Sequence, residues 1–92
     1  AMELGPHGIR ANAICPGSVN GPRIDLVIAA EAVAKGMTPD AVRQGYASGT
    51  ALKRLADAED VADMAVYLAS DAARMVSGQA LAVDGMTYNV DP

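Results

Sequence analysis

Two short apolar runs stand far apart in this chain, and the residues between them have mostly helical composition. The first run, residues 9–15, is ended by Pro16-Gly17, and the second, residues 80–84, is closed by Gly85. Two strands joined by a long helical crossover lie parallel in one sheet. A parallel pair needs cover on both faces and at both edges, and 92 residues arranged in this way do not supply it. The pattern therefore predicts an α/β structure of two strands with intervening helices, incomplete as a standalone domain.

Helix start and stop signals divide the rest of the chain. Residues 1–5 finish with a Gly and precede a Pro, which is typical of the end of a helix. Residues 24–50 contain two helical stretches, separated by a glycine stop and a Thr-Pro-Asp start. A further helix is predicted over residues 57–70, with Asp57 as its N-cap and Asp60 as the capping-box partner. The predicted order is thus helix end, strand, three helices and strand.

The charge balance restricts the classes of partner. Seven Lys and Arg residues against eleven Asp and Glu residues give a net charge of −4, and the basic residues are dispersed. No apolar stretch approaches the roughly 18 residues of a membrane span, so we expect neither nucleic acid nor a membrane as partner. The single Cys15 lies inside the first apolar run and has no internal disulfide partner. We therefore expect a buried, reduced thiol in a cytoplasmic protein.

The order of several short motifs resembles the C-terminal portion of the short-chain dehydrogenase/reductase family, in particular 3-oxoacyl-carrier-protein reductases. ELGPHGIRANAICPG at residues 3–17 is similar to the family's passage from its catalytic helix into its sixth strand. AEDVADMAVYLASDAARMVSGQALAVDGM at residues 58–86 is similar to its late helix, the following turn and its seventh strand. The resemblance implies that residues 1–92 are the C-terminal segment of one Rossmann-type, doubly wound parallel sheet.

The resemblance also implies an oxidoreductase that uses NAD or NADP to interconvert an alcohol and a carbonyl by hydride transfer. Ligands of such sheets bind beyond the carboxyl ends of the strands, which makes residues 16–23 the predicted cofactor-side loop and residues 24–50 the predicted substrate lid. In the family, the backbone of the residue matching Val19 pairs with the nicotinamide carboxamide, and a Thr commonly stands where this chain has Gly21. The predicted cofactor-binding residues are Pro16, Gly17, Ser18, Val19 and Gly21.

The chemical signatures of the family are missing from the sequence. Its catalytic Tyr is followed four residues later by a Lys that lowers the pKa of the phenol. Here Tyr46, Tyr67 and Tyr88 are followed at that spacing by Thr50, Asp71 and Pro92. The three-glycine fingerprint that cradles a dinucleotide pyrophosphate is also missing. We therefore assign no catalytic residue, and we predict that the chain alone is inactive and binds NAD or NADP weakly or not at all.

An acidic cluster at the start of the helix at residues 57–70 is explained without a metal ion. Its members lie in the first turns, where the helix dipole favours negative charge; they are Asp57, Glu59, Asp60 and Asp63. His7 has no second histidine with which to share a zinc ion. We therefore expect no metal site.

The sequence supports three functional readings. The preferred one is the C-terminal fragment of an NAD(P)-dependent oxidoreductase. The alternatives are a free-standing, non-catalytic interaction or oligomerisation module and a nonfunctional remnant. Under the preferred reading the partners are the missing N-terminal half of the fold, a small carbonyl or alcohol substrate, and further copies of the chain. The complete enzyme is expected to be a tetramer, and the fragment a swapped dimer joined through the open edge of residues 9–15.

Overall fold

The structure, a computed structural model, describes residues 1–89. In chain order the elements are a 3₁₀ turn Gly5–His7, strand β1 Ala13–Pro16, helix α1 Pro22–Lys35, helix α2 Pro39–Ser48, helix α3 Ala58–Ala69, a 3₁₀ turn Asp71–Ala73 and strand β2 Ala80–Val83. The strands pair in parallel, with Ala13 opposite Ala80 and Pro16 opposite Val83. The predicted α/β class with two parallel strands is confirmed. The last three residues of the predicted segment 1–92 lie outside the described residues.

The first strand is shorter and later than the predicted residues 9–15. Before Ala13, the chain bonds to the turn that leads into β2 rather than to a strand: Ala11 N–H donates to Ser77 Oγ at 3.2 Å, and Gly78 N–H donates to Ala11 O at 2.8 Å. Asn12 Nδ2 donates to Val76 O at 2.9 Å in the same region. Hydrogen bonds that involve the side chains of Ser77 and Asn12 therefore replace strand pairing before Ala13.

The first residues form one helical turn rather than a full helix end. Gly5 N–H donates to Ala1 O at 2.9 Å, which is a single α-type bond, and the 3₁₀ turn Gly5–His7 follows at once. The turn closes at Gly8, which has a φ of 74°. Pro6 explains the change of geometry, because it cannot donate the next hydrogen bond of an α-helix.

The three helices begin at the signals read from the sequence or close to them. α1 starts at Pro22, two residues before the predicted lid boundary, because proline suits the first helical position. Thr38 Oγ1 accepts a hydrogen bond from Ala41 N–H at 3.1 Å and caps α2. Asp60 Oδ2 accepts from Asp57 N–H at 2.8 Å at the start of α3. Within the described residues, none of the helices has the length and hydropathy of a membrane span.

A cluster of buried apolar side chains lies between α1 and α2 rather than under the sheet. Ile28, Ala32 and Val42 form a buried cluster, and Ile24 and Tyr46 pack against it. Only 2% of the surface of Ile28 is accessible to solvent. Full burial of such a side chain contributes about 1.5–3 kcal/mol to the free energy of unfolding. The two helices thus form a hairpin with its own core, which we call the lid hairpin (residues 22–48).

The molecule is too extended for a self-contained globule. Its radius of gyration is 16.7 Å and its extents are 55 × 23 × 21 Å, whereas a compact domain of this length has a radius near ~12 Å. Of the described helices, α3 is the one that packs on β1 and β2. The expectation of a buried thiol was therefore wrong, because Cys15 is exposed. Its burial depends on packing layers that these 89 described residues do not provide.

Candidate functional site

The loop after β1 begins with a close contact between the ends of the two strands. Gly17 N–H donates to Val83 O at 3.1 Å and extends the ladder one residue past Pro16. A Cβ atom on Gly17 would lie 2.6 Å from Asp84 Cβ and 3.0 Å from Asp84 Cα. Glycine at this position therefore lets the two strand ends meet, and Pro16 is the last residue of β1 rather than the first of the loop.

Further along the loop, the backbone N–H and C=O of Val19 point away from the neighbouring segment at Ala56. Val19 forms an isolated parallel bridge with Ala56. The two bonds of this bridge belong to the flanking residues, since Ala56 N–H donates to Ser18 O at 3.0 Å and Asn20 N–H donates to Ala56 O at 2.8 Å. Backbone groups alternate in direction along an extended strand, so the N–H and C=O of Val19 point to the opposite side. Neither group has a hydrogen-bond partner among the described residues.

Two clefts flank this loop at the carboxyl edge of the sheet. One has a volume of about 480 Å³ and is lined by residues 17–24 together with Val27. The other, of about 340 Å³, lies between residues 16–18 and a wall that includes Tyr46 and Thr50. Both volumes fall within the usual range for small-ligand sites. Each of the five predicted cofactor-binding residues lines at least one cleft.

A polar network fastens the loop to the helices around it. Asn20 Nδ2 donates to Asp57 Oδ1 at 2.9 Å, and Asn20 Oδ1 accepts from an Arg43 guanidinium N–H at 2.8 Å. Arg43 also forms an ion pair with Asp25 in the first turn of α1. Sequence reasoning missed this network, because its members are far apart in the chain and no local pattern links them.

Residues 1–87 match the family model described as enoyl-(acyl carrier protein) reductase. The chain belongs to the short-chain dehydrogenase/reductase family. A short-chain dehydrogenase/reductase from Armillaria gallica is 40% identical over 85 residues, which cover 92% of this chain and 31% of that protein. The chain spans about a third of the length of the curated relatives that it matches.

Solved structures of the family have the same backbone arrangement. A short-chain dehydrogenase family protein from Francisella tularensis superposes with a TM-score of 0.86 at 27% identity, over 92% of this chain and 35% of that one. An NADPH-dependent reductase involved in bacilysin biosynthesis gives 0.78 at 33% identity, over 91% and 32%. A 4-hydroxyisoleucine dehydrogenase solved in complex with NADH and succinate gives 0.69 at 28% identity, over 94% and 30%.

The loop departs from the short-chain dehydrogenase/reductase pattern at Gly21. Its φ of 154° and ψ of −179° are unfavourable for residues with a side chain, although nothing lies within 4 Å of the position a Cβ would take. The resemblance to the family implies a Thr hydroxyl at this position. This chain has none, because the residue is a Gly. Ser18 carries the loop's own hydroxyl, and its Oγ has no bonded partner in the described part of the chain.

Two of the three tyrosines, Tyr46 and Tyr88, make side-chain contacts with other parts of the chain. Tyr46, which lines the smaller cleft, has its hydroxyl 3.4 Å from Glu31 Oε1. Lys53 Nζ donates to Tyr88 Oη at 2.6 Å and to Ser48 O at 2.8 Å. This spatial Tyr–Lys pair was missed from the sequence, since the two residues are not four apart. It fastens the C-terminal segment to the end of α2, and Tyr88 is 60% exposed.

The remaining charged candidates do not converge. Among residues 1–89, no three or more His, Cys, Asp or Glu side chains come together in a way that could hold a metal ion. The Asp57 and Asp60 carboxylates of the acidic cluster accept hydrogen bonds, from Asn20 and from the Asp57 backbone respectively. The arrangement is that of a helix start rather than of a cation site.

Proposed function

We propose that this chain is the C-terminal segment of an NAD(P)-dependent oxidoreductase that interconverts an alcohol and a carbonyl, and that it contributes the nicotinamide-side loop, the substrate lid and subunit contacts. The observation that carries the proposal is that Val19 lines a cleft at the carboxyl edge of the sheet and that its backbone N–H and C=O have no hydrogen-bond partner among the described residues. One N–H donor and one C=O acceptor on the same residue complement the C=O and NH₂ groups of a carboxamide. The chemistry of this donor–acceptor pair therefore fits a nicotinamide.

The residues of this chain bind and orient the cofactor rather than react. A bound NAD or NADP would supply the site for hydride transfer. The backbone of Val19 would hold the carboxamide, Ser18 Oγ would offer a further hydrogen bond, and Gly17 would fix where the loop leaves the sheet. We assign the exchange of the substrate hydroxyl proton to no residue of this chain, because its three tyrosines lack the Lys at the required spacing.

The lid hairpin supports the second part of the proposal. Its own core, centred on Ile28 and Val42, keeps α1 and α2 together as one body. Tyr46 of the hairpin, and Thr50 just after it, line the smaller cleft beside residues 16–18. A lid in this position excludes water from a bound substrate, and exclusion of water favours hydride transfer.

The absence of a pyrophosphate cradle and of a Tyr–Lys motif leads to the proposal that the segment alone is inactive. Its partner would be the remaining, N-terminal portion of the same fold, which would cover the open sheet face and the exposed Cys15. The exposed Val66 and Tyr67 on α3 are candidates for contacts between subunits of a homo-oligomer, since they are 69% and 45% accessible. The cofactor would be NAD or NADP, and the substrate a small carbonyl or alcohol compound in a cytoplasmic setting.

The nicotinamide contact can be tested by NMR. Reduced nicotinamide mononucleotide, added at millimolar concentration to the ¹⁵N-labelled chain, should shift the amide signal of Val19 more than those of Ala13 and Leu81 in the strands. Nicotinic acid mononucleotide, whose carboxylate cannot donate a hydrogen bond, is the matched control and should shift Val19 much less. Equal responses to the two probes, or no response at Val19, would contradict the proposal. The purified chain should also show no cofactor-dependent turnover.

A second candidate, an interaction module without chemistry, is favoured by the open edge of β1. Unpaired backbone groups on such an edge recruit further strands. Under this reading the chain forms a swapped dimer without any other polypeptide, whereas under the first reading it is a monomer whose strand edge stays open until the remaining portion of the fold covers it. Light scattering combined with amide protection at residues 13–15 separates the two: protected amides in a monomer rule out the dimer.

A further inference from the structure

Asn20 joins three parts of the structure at the centre of the loop. Its backbone bonds to Ala56, its side-chain NH₂ group faces the Asp57 carboxylate at 2.9 Å, and its side-chain carbonyl faces the Arg43 guanidinium at 2.8 Å. An amide placed between a carboxylate and a guanidinium has one allowed orientation, because turning it over would set donors against donors and acceptors against acceptors. The side chain of Asn20 therefore holds a defined place between α2 and the start of α3.

Arg43, which lies on α2, bonds to Asn20 and so links the loop to the lid hairpin. One of its terminal nitrogens bonds to Asn20 and the other pairs with Asp25 in the first turn of α1. The guanidinium presents its N–H groups in a rigid planar fork, so the loop and both lid helices are tied to a single planar group. Because α1 and α2 also share the Ile28 and Val42 core, a displacement of the hairpin is transmitted to Asn20 as a whole.

Val19 directly precedes Asn20, lines the larger cleft and carries two backbone groups that have no hydrogen-bond partner among residues 1–89. We propose that Asn20 and Arg43 are positioning residues that transmit the placement of the lid hairpin to the Val19 backbone. The inference rests on the proposed function, because it concerns the same nicotinamide contact. Lid placement and carboxamide pairing then favour each other reciprocally, as thermodynamic linkage requires.

The first test needs no ligand. The amides of Asn20 and Ala56 make the two bonds of the Val19 bridge, so their hydrogen exchange reports the position of the loop. Arg43→Met and Asn20→Ala should each raise exchange at the Ala56 amide by about twofold to fivefold, because the bonds that they remove are exposed to solvent. The amides of Ala13 and Gly17 should keep their wild-type rates. Lys35→Met is the matched control, because it removes a lid cation whose only described partner is Glu31.

A conservative variant separates positioning from charge. Arg43→Lys keeps the positive charge beside Asp25 but cannot serve two partners from a planar fork. It should therefore raise Ala56 exchange nearly as much as Arg43→Met does. The double variant Asn20→Ala with Arg43→Met should add little to either single change, because both act through one network. Wild-type exchange at Ala56 in Arg43→Met, or additive effects in the double variant, overturn the inference.

The second test uses the nicotinamide mononucleotide titration. Arg43→Met should raise the probe concentration that half-shifts the Val19 amide by about twofold to fivefold, while Lys35→Met leaves it unchanged. An unchanged midpoint in Arg43→Met contradicts the inference even if the wild-type response is present. Absence of any Val19 response in the wild type contradicts the proposed function instead, and the exchange rates at Ala56 still decide whether the lid positions the loop.

Discussion

Replacement of Gly17 by Ala tests the contact that fixes where the loop leaves the sheet. The added Cβ would lie 2.6 Å from Asp84 Cβ, about 1 Å closer than carbon atoms approach at their optimum of roughly 3.5–4.0 Å. Because the nearest atoms belong to the backbone and to a Cβ, no side-chain rotation relieves the overlap. The strand ends must then separate, which also breaks the Gly17–Val83 hydrogen bond of 3.1 Å.

The cost follows from these two terms. Overpacking of this kind costs about 1–3 kcal/mol, and the lost hydrogen bond adds about 0.5–1.5 kcal/mol. We expect Gly17→Ala to lower the free energy of unfolding by about 2–4 kcal/mol. Each kcal/mol corresponds to about 4–8 °C in Tm for a domain of this size. The assay is urea and thermal unfolding followed by circular dichroism.

Gly5→Ala is the matched control for this substitution. Nothing lies within 4 Å of the Cβ position at Gly5, so the change should be neutral to within about 0.5 kcal/mol. A second variant, Asp84→Gly in the Gly17→Ala background, removes the closest overlapping atom and should recover part of the loss. If Gly17→Ala and Gly5→Ala unfold at the same urea concentration and the same temperature, the close approach of the two strand ends does not limit stability, which refutes the reasoning.

Two further stability predictions rest on individual hydrogen bonds. Arg10→Met removes guanidinium bonds to Leu68 O at 2.6 Å and Val76 O at 3.1 Å. It should lower the free energy of unfolding in urea by about 2 kcal/mol. The control is Arg74→Met, because Arg74 is exposed and bonds within its own turn; it should lower the free energy by less than about 0.5 kcal/mol. Thr38→Ala removes the N-cap of α2 and should cost about 1 kcal/mol; Thr38→Ser should restore most of it, and an equal loss in the Ser variant would argue against capping.

Local sequence signals predicted the elements that depend on local chemistry. The Thr38 cap, the Asp57-Asp60 start of α3 and the parallel strand pair needed only neighbouring residues or the order of elements. Exposure could not be predicted in the same way. The apolar character of Cys15 suggested burial, but burial depends on whether other elements cover the strand, and here it lies exposed.

In the candidate site, too, some features could be predicted from the sequence and others depend on tertiary contacts. The resemblance to the family directed attention to Val19, but the reason its backbone is available is the bridge to Ala56, which no sequence pattern announced. Asn20 and Arg43 are ordinary polar residues in the sequence, and only the folded chain brings them within 2.8 Å of each other. Sequence therefore indicated which loop matters, whereas the contacts that orient it are tertiary.

The separate core of the lid hairpin has a consequence for how this segment diversifies. Ile28, Ala32 and Val42 stabilise α1 and α2 against each other without help from the strands. Substitutions on the outward side of the hairpin, such as at Leu26 or Val33, which are 73% and 86% exposed, leave that core and the sheet untouched. The outer surface of the hairpin can therefore vary in sequence without loss of its core, as long as Arg43 keeps its bonds to Asn20 and Asp25.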